Sequence, residues 1–154
     1  KSGLESVTAL FGRTEVIKGP ITIIRDCYNA NPESMASAMD FCDSVSWKGK
    51  KVYVIGSMLE LGDDSARAHR DVCVRLARST ADRIFLFGDE MTAAGREVLF
   101  GDGRVALANS IEELRALVIG ECVTGDLLFL KGSRGMALER VSAALTEKAE
   151  GSPR

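Results

Sequence analysis

The sequence lacks the features by which several classes of protein are recognised. It contains no apolar run long enough to cross a bilayer as a helix, and its N-terminus carries no basic-then-apolar signal segment. Twenty basic and 22 acidic residues give a formal net charge of −2, and the basic residues form no dense stripe. Because nucleic-acid binding needs clustered Lys and Arg, we predict no nucleic-acid partner and no membrane insertion.

Paired cysteine spacing is also absent. The four cysteines, none of them in a C-x-x-C pair, are Cys27, Cys42, Cys73 and Cys122. Zinc sites and thioredoxin-like redox sites are therefore not indicated. Three of the four fall within apolar patterns, where a free cysteine packs as a small hydrophobic residue. Reduced thiols in a cytoplasmic protein are the simplest interpretation.

Both glycine-rich phosphate loops, G-x-x-x-x-G-K-[ST] and G-x-G-x-x-G, are missing as well. A self-sufficient ATPase would need such a cradle for its phosphates. The chain contains a single histidine, His69, in a helical pattern with no nucleophile patterned nearby. We predict that His69 makes a helix-surface or helix–loop contact and does not act as a general base.

What is present is a repeated alternation of strand and helix. The 154 residues suit one domain, and 45% of them are hydrophobic. Five strand-then-helix units follow one another, with strands at ITIIR, KVYVIGS, RIFLFGD, RVALAN and DLLFLKGSRG. Four of these strands are apolar along nearly their whole length, which is typical of a parallel sheet covered on both faces. The sequence predicts an α/β, Rossmann-like, doubly wound and mostly parallel sheet with helices on both faces; it does not specify the strand order.

In such folds ligands lie beyond the carboxyl ends of the strands, so the loops at that edge are candidate sites. The first of these loops reads DCYNANP. Asp26 suits a ribose hydroxyl pair, Tyr28 offers a flat apolar face, and Asn29 and Asn31 carry the donors and acceptors that a purine edge needs. The same residues also suit an Asx turn that leads into a helix capped by Asn31, with Pro32 in its first turn. From these residues alone, the Asx turn that leads into a capped helix is favoured over a nucleotide contact.

Two further loops carry charge. In KGSRG, Lys131 and Arg134 flank small residues before a helix, an arrangement that suits a carboxylate or phosphate but equally a glycine turn with solvated charges. Glu60, Asp63 and Asp64 precede another helix, where negative charge is favoured, and a capping role is preferred to a magnesium site.

The segments FGRTEVI, RDCYNANPESM, VIGSMLELGDDSARAHRDV and FLKGSRGMALERV, taken together, resemble the C-terminal domain of the Mur ligases. Within that family the match is to the members that add D-alanyl-D-alanine to UDP-N-acetylmuramoyl-tripeptide. The resemblance runs from about residue 11 to residue 145, in the family's order. It implies residues 1–19 as a linker and lead-in from a central domain, residues 20–148 as the Rossmann-like domain, and residues 149–154 as a frayed tail.

The resemblance implies a cytoplasmic, ATP-dependent ligase of peptidoglycan precursor synthesis. ATP would convert the tripeptide carboxylate to an acyl phosphate with release of ADP. The amine of D-alanyl-D-alanine would then displace phosphate and form an amide. The implied partners are ATP, D-alanyl-D-alanine and UDP-N-acetylmuramoyl-tripeptide, and the implied cofactors are ATP and Mg²⁺, with the Mg²⁺ ligands on the central domain. The isolated domain is expected to be inactive, and no catalytic or metal-binding residue is assigned to it.

The resemblance also implies roles for particular residues. The expected nucleotide-binding residues are Arg13, Asp26, Tyr28, Asn29, Asn31 and Pro32. The expected substrate-binding residues are Ser57, Glu60, Lys131, Ser133 and Arg134. The chain departs from the family at Arg25, where many relatives have a second acidic residue, and at Ser57, where Asp is frequent. Arg25 would add positive charge beside the nucleotide.

Two other functions remain open from the sequence. One is a stand-alone nucleotide- or dipeptide-binding module, which should bind a ligand tightly by itself. The other is a Rossmann-like scaffold protein whose motifs are only turn chemistry. For a scaffold, replacing Asn29 or Lys131 should leave the activity of any parent enzyme unchanged.

Overall fold

A computed structural model describes residues 14–151 of the chain, so the predicted nucleotide contact of Arg13 lies outside the described residues. Six strands and five α-helices are present over the described residues. The strands are β1 (Glu15–Ile17), β2 (Thr22–Asp26), β3 (Lys51–Gly56), β4 (Arg83–Phe87), β5 (Val105–Ala108) and β6 (Leu127–Lys131). The helices are α1 (Pro32–Ser44), α2 (Ser65–Ala77), α3 (Asp89–Val98), α4 (Ile111–Glu121) and α5 (Glu139–Gly151).

The strands form one sheet in the order β1-β2-β6-β3-β4-β5. Strands β2 to β6 pair in parallel, and β1 pairs with β2 in the antiparallel sense. This arrangement confirms the predicted α/β fold with a mostly parallel sheet. It also supplies the strand order, in which the last strand, β6, is inserted between β2 and β3.

Helices cover both faces of the sheet, as predicted. Helices α1, α2 and α3 pack on one face, around a buried cluster that includes Ile24, Tyr53 and Phe129. Helices α4 and α5 pack on the other, around a cluster that includes Val54 and Leu130. Successive residues of a strand point to opposite faces, so the central strands must be apolar throughout. Each fully buried side chain of this kind stabilises the fold by about 1.5–3 kcal/mol.

The start of α1 is set by Asn31, as predicted. The Asn31 side-chain oxygen accepts from the Ser34 amide at 2.8 Å, and the Ser34 hydroxyl accepts from the Asn31 amide at 3.1 Å. This reciprocal pair satisfies amides that have no partner within the helix, and Pro32 occupies the first turn. The loop after β2 therefore ends at a defined position.

The structure differs from the sequence prediction at both ends of the described chain. Strand β1 was not predicted: it falls within residues 1–19, which were assigned to a linker, yet it pairs with β2 along the sheet edge. Helix α5 continues to Gly151, three residues into the predicted tail. The domain boundaries themselves stay a prediction. Over the described residues, no helix is both long enough and apolar enough to span a membrane.

Candidate functional site

The candidate site lies at the carboxyl ends of β2, β6 and β3, where the topology opens a crevice. The chain leaves β2 and β3 towards α1 and α2 on one face of the sheet, but leaves β6 towards α5 on the other. The loop after β6 therefore turns to the opposite face of the sheet from the loops after its neighbours β2 and β3. Such switch points are where open α/β sheets bind ligands.

Lys131 and Asp26 occupy the centre of this crevice. They end the adjacent strands β6 and β2 and stand opposite each other in the register. The Lys131 Nζ lies 2.7 Å from the Asp26 Oδ2 and donates a second hydrogen bond, of 3.2 Å, to the Asn29 carbonyl. The Lys131 side chain is 1% exposed and that of Asp26 16%. A charge this deeply buried requires a partner, so the ion pair ties the two loops together.

A second contact joins the same two loops at the surface. The Arg134 guanidinium carbon lies 5.6 Å from the centre of the Tyr28 ring, within range for a cation–π interaction. Tyr28 is 58% exposed, and Asn29, Asn31, Pro32 and Arg134 are exposed too. The exposed rim of the crevice therefore combines an aromatic face, two amide side chains and one guanidinium group.

The loop 57–61 forms the third wall and is fastened to the turn after β6. The Ser133 amide donates to the Ser57 carbonyl at 3.1 Å, and the Leu59 amide donates to the Ser133 hydroxyl at 2.8 Å. Ser57 itself is fully buried, and its hydroxyl accepts from the Met91 amide in the first turn of α3 at 3.1 Å. Ser57 thus holds a helix terminus, and its burial does not favour direct contact with a substrate.

Close backbone packing brings these loops together. A Cβ on Gly132 would lie 3.0 Å from the Gly56 Cα and 3.2 Å from the Gly56 amide nitrogen. Any larger residue at position 132 would push the turn away from β3. The glycine in KGSRG is therefore required by the close approach of two strand ends.

The single histidine makes the predicted helix–loop contact. His69 is fully buried on α2, and its Nε2 accepts from the Met58 amide at 2.9 Å. The alternative helix-surface position is wrong, because no part of the ring is exposed.

Arg25, which the resemblance expects to add positive charge beside the nucleotide, is held by partners on β1 and α5, and its effect on a nucleotide stays a prediction. Its guanidinium group pairs with Glu15 on β1 and donates to the Ser142 hydroxyl on α5 at 3.0 Å. Successive residues of a strand point to opposite faces of the sheet, so the Arg25 side chain leaves β2 on the face opposite to that of Asp26.

Cys27 is the thiol nearest to the crevice along the chain, and its environment makes it unreactive. Burial, with a smaller contribution from the Glu139 carboxylate, raises the pKa of the Cys27 thiol to about 12. The Sγ lies 3.8 Å from the Leu130 carbonyl. Because the thiolate is the nucleophilic form, Cys27 is a packing residue at neutral pH.

The acidic residues before α2 do not make the predicted cap. Asp63 and Asp64 do stand at the N-terminal end of that helix, in a short 3₁₀ turn. However, Asp64 accepts no capping hydrogen bond from the helix, and its carboxylate pairs with Arg67 at 3.1 Å. Among residues 14–151, no group of three or more His, Cys, Asp or Glu side chains could hold a metal ion.

Sequence reasoning assigned Asp26 and Lys131 to different ligands and missed their contact. The signal was present, because β2 and β6 end in residues of opposite charge. It could be used only with the strand order, which makes these two strands neighbours. The same holds for the bond between Leu59 and Ser133, which are 74 positions apart.

The sheet order and the helices on both of its faces define a Rossmann-like domain of the doubly wound α/β class. Residues 12–134 match the family model of the Mur ligase, glutamate ligase domain. The chain belongs to this family. It is 44% identical over 149 residues to the UDP-N-acetylmuramoyl-tripeptide–D-alanyl-D-alanine ligase of Treponema pallidum, covering 95% of this chain and 32% of that protein. Against the corresponding ligase of Bacillus subtilis it is 35% identical over 149 residues, covering 94% and 33%.

Solved structures agree with this assignment. The MurF ligase from Thermotoga maritima in complex with ADP superposes with a TM-score of 0.73 at 25% identity, covering 92% of this chain and 32% of that one. MurF from Acinetobacter baumannii superposes with a TM-score of 0.74 at 32% identity, covering 89% and 31%. The chain thus spans about a third of the length of the relatives it matches.

Proposed function

We propose that the chain is the C-terminal domain of a cytoplasmic UDP-N-acetylmuramoyl-tripeptide–D-alanyl-D-alanine ligase. The observation that carries the proposal is the ion pair between Asp26 and Lys131, which joins the DCYNANP loop and the KGSRG turn in one crevice. Relatives of this name match 94–95% of the chain, which supports the same function. In this proposal the crevice is one wall of an active site that is completed by other domains.

On the nucleotide side, Asp26 accepts from the ribose of ATP. Its Oδ2 is bound to Lys131, and a carboxylate has lone pairs left on both oxygens for sugar hydroxyls. Tyr28 and Asn29 are exposed beside it. The side-chain oxygen of Asn31 accepts one hydrogen bond from Ser34 within the helix cap, so the NH₂ group of Asn31 supplies its donors to the nucleotide. Pro32 and Arg13 complete the predicted nucleotide contacts.

On the dipeptide side, Arg134 is the cation that binds the carboxylate of D-alanyl-D-alanine. It is exposed on the rim, whereas the ammonium of Lys131 is buried and already paired. The Ser133 hydroxyl accepts from Leu59, so its own proton is available to donate to the same carboxylate. Glu60 is exposed on the third wall, while buried Ser57 shapes that wall from behind.

The chemistry that these residues serve is amide formation driven by ATP. The tripeptide carboxylate attacks the γ-phosphorus of ATP, which gives an acyl phosphate and ADP. The dipeptide amine then attacks the acyl carbon and expels phosphate. A domain that covers the nucleotide and aligns the dipeptide would bring the amine to the acyl carbon and keep water away. In this proposal the ligands of Mg²⁺ lie on the central domain of the parent ligase, as the resemblance implies.

The test is a titration of the isotope-labelled chain with Mg-ATP and, separately, with D-alanyl-D-alanine, followed by backbone amide shifts. Weak shifts confined to residues 26–32 with ATP and to residues 131–135 with the dipeptide are expected, with L-alanyl-L-alanine as the control. Tight binding of either ligand would indicate a stand-alone module. In the full-length protein, steady-state release of ADP must depend on both the dipeptide and UDP-N-acetylmuramoyl-tripeptide. Continued turnover of ATP in the absence of either substrate would contradict the proposal.

A further inference from the structure

Two successive backbone amides in the loop 57–61 are held by side chains from distant parts of the chain. The Met58 amide donates to the His69 Nε2 at 2.9 Å, and the Leu59 amide donates to the Ser133 hydroxyl at 2.8 Å. The next residue, Glu60, has φ of +64°, a conformation that is unfavourable for residues other than glycine. Such a conformation persists only where the surroundings impose it.

The partners of His69 define the tautomer of its ring. Its Nδ1 lies 2.7 Å from the Ser65 carbonyl oxygen, which can only accept, so Nδ1 carries the proton. Nε2 is then a bare acceptor and matches the Met58 amide, which can only donate. The ring is fully buried, and both of its nitrogens are used. A side chain that cannot accept at the Nε2 position would leave a buried amide without a partner.

We propose that His69 is a positioning residue that holds the loop 57–61 in the conformation needed to bind the dipeptide. It touches no ligand. It fixes the Met58 amide, Ser133 fixes the Leu59 amide, and together they impose the left-handed conformation that presents Glu60 at the crevice. The dipeptide part of this inference rests on the function proposed above.

The simpler alternative is that His69 only fills space in the core. Two conservative variants separate these interpretations, because glutamine places its oxygen near the position of Nε2, whereas asparagine mimics Nδ1. His69→Gln can keep the bond from Met58 and lose the one to Ser65. His69→Asn can keep the Ser65 bond and lose the one from Met58. If His69 only fills space, the two variants should differ only in overall stability, in the order set by how well each side chain fills the core.

The first readout is hydrogen exchange of individual amides in this chain, with urea midpoints measured in parallel. In His69→Asn, exchange at Met58 and Leu59 should accelerate about tenfold relative to the wild type, which corresponds to one buried hydrogen bond. In His69→Gln it should stay within about threefold. The control is exchange at Ile84, whose amide donates to the backbone carbonyl of Arg104, away from the loop 57–61. It should follow global stability only. Equal acceleration in both variants, or acceleration at Ile84 that matches the loop, would overturn the proposal.

The second readout is steady-state kinetics of the full-length ligase carrying the same substitutions. His69→Asn should raise the KM for D-alanyl-D-alanine about tenfold and leave the KM for ATP unchanged. In His69→Gln the KM for D-alanyl-D-alanine should lie close to the wild-type value. A fall in kcat with both KM values unchanged would overturn the positioning role. If the wild-type protein shows no dipeptide-dependent ADP release, the proposed function fails, and the amide exchange still decides whether His69 holds the loop.

Discussion

Replacing Lys131 by methionine tests whether its ammonium group is a structural partner of Asp26. The variant keeps the length and packing of the buried stem but leaves the Asp26 carboxylate without its cation. Breaking a buried ion pair from one side destabilises a protein by about 3–5 kcal/mol. The Asp26 side chain is 16% exposed and can be partly rehydrated, so we expect a loss of about 2–4 kcal/mol. For a domain with total stability of about 5–15 kcal/mol this is a large but measurable change.

The decisive quantity is the coupling between the two residues, measured by urea unfolding of the wild type, Lys131→Met, Asp26→Asn and the double variant. The double variant should be about 2 kcal/mol more stable than the sum of the two single losses predicts. The reason is that it removes both charges of the pair and so leaves no buried charge unpaired. The control is the pair of Arg75 and Asp40, which is nearly as short at 2.8 Å but has side chains that are 47% and 68% exposed. Arg75→Met should cost less than about 1 kcal/mol. A coupling below about 0.5 kcal/mol between Lys131 and Asp26 would refute the reasoning.

Three further predictions follow from the same geometry. Arg134→Met should leave the urea midpoint nearly unchanged, because the exposed contact with Tyr28 is worth only about 0.5–1 kcal/mol. In the full-length ligase the same substitution should raise the KM for the dipeptide but not the KM for ATP. Equal effects on both KM values would count against the role assigned to Arg134. Gly132→Ala should destabilise the chain by about 1–3 kcal/mol in urea unfolding, because the new Cβ would lie 3.0 Å from a backbone atom. The control is Gly120→Ala, whose Cβ has no atom within 4 Å and which should be neutral or slightly stabilising. Cys27 should resist alkylation in the native chain at pH 8, where a pKa of about 12 leaves about one thiol in ten thousand ionised; labelling as fast as in urea would contradict its burial.

The fold could be predicted from the sequence because its signals are local. A short and nearly continuous apolar run such as the one within Lys51–Gly56, rich in β-branched residues and ending at a glycine, predicts a strand buried on both faces. The helix cap at Asn31 was equally visible, since its partner is only three residues away. Strand β1 was missed because three residues at a sheet edge carry too little pattern. Whether they form a strand depends on their pairing with β2, which is not a local property.

The site was predicted less completely, for a related physical reason. The motifs indicated which residues were candidates for it, but the contact between Asp26 and Lys131 spans 105 positions. That contact exists only because β6 is inserted between β2 and β3. The burial of Lys131 was also invisible, since a lysine at a strand end is ordinarily solvated. Sequence reasoning therefore brought forward the DCYNANP and KGSRG loops as candidates and gave Lys131 a ligand contact, and both stay predictions. The structure shows that Lys131 is paired with the Asp26 carboxylate of its own chain.

These contacts also bear on how the domain could act as a moving part. Hydrogen bonds to Lys131 and Ser133 cross-link the three walls of the crevice, and a hydrogen bond to His69 ties the loop 57–61 to α2. Loops tied in this way are expected to move with the sheet as one body. A ligand that binds to one wall then has little local disorder to remove in the other two. Closure onto a second domain would consequently carry the nucleotide and dipeptide surfaces together, and the alignment of amine and acyl carbon would depend on the orientation of the whole domain.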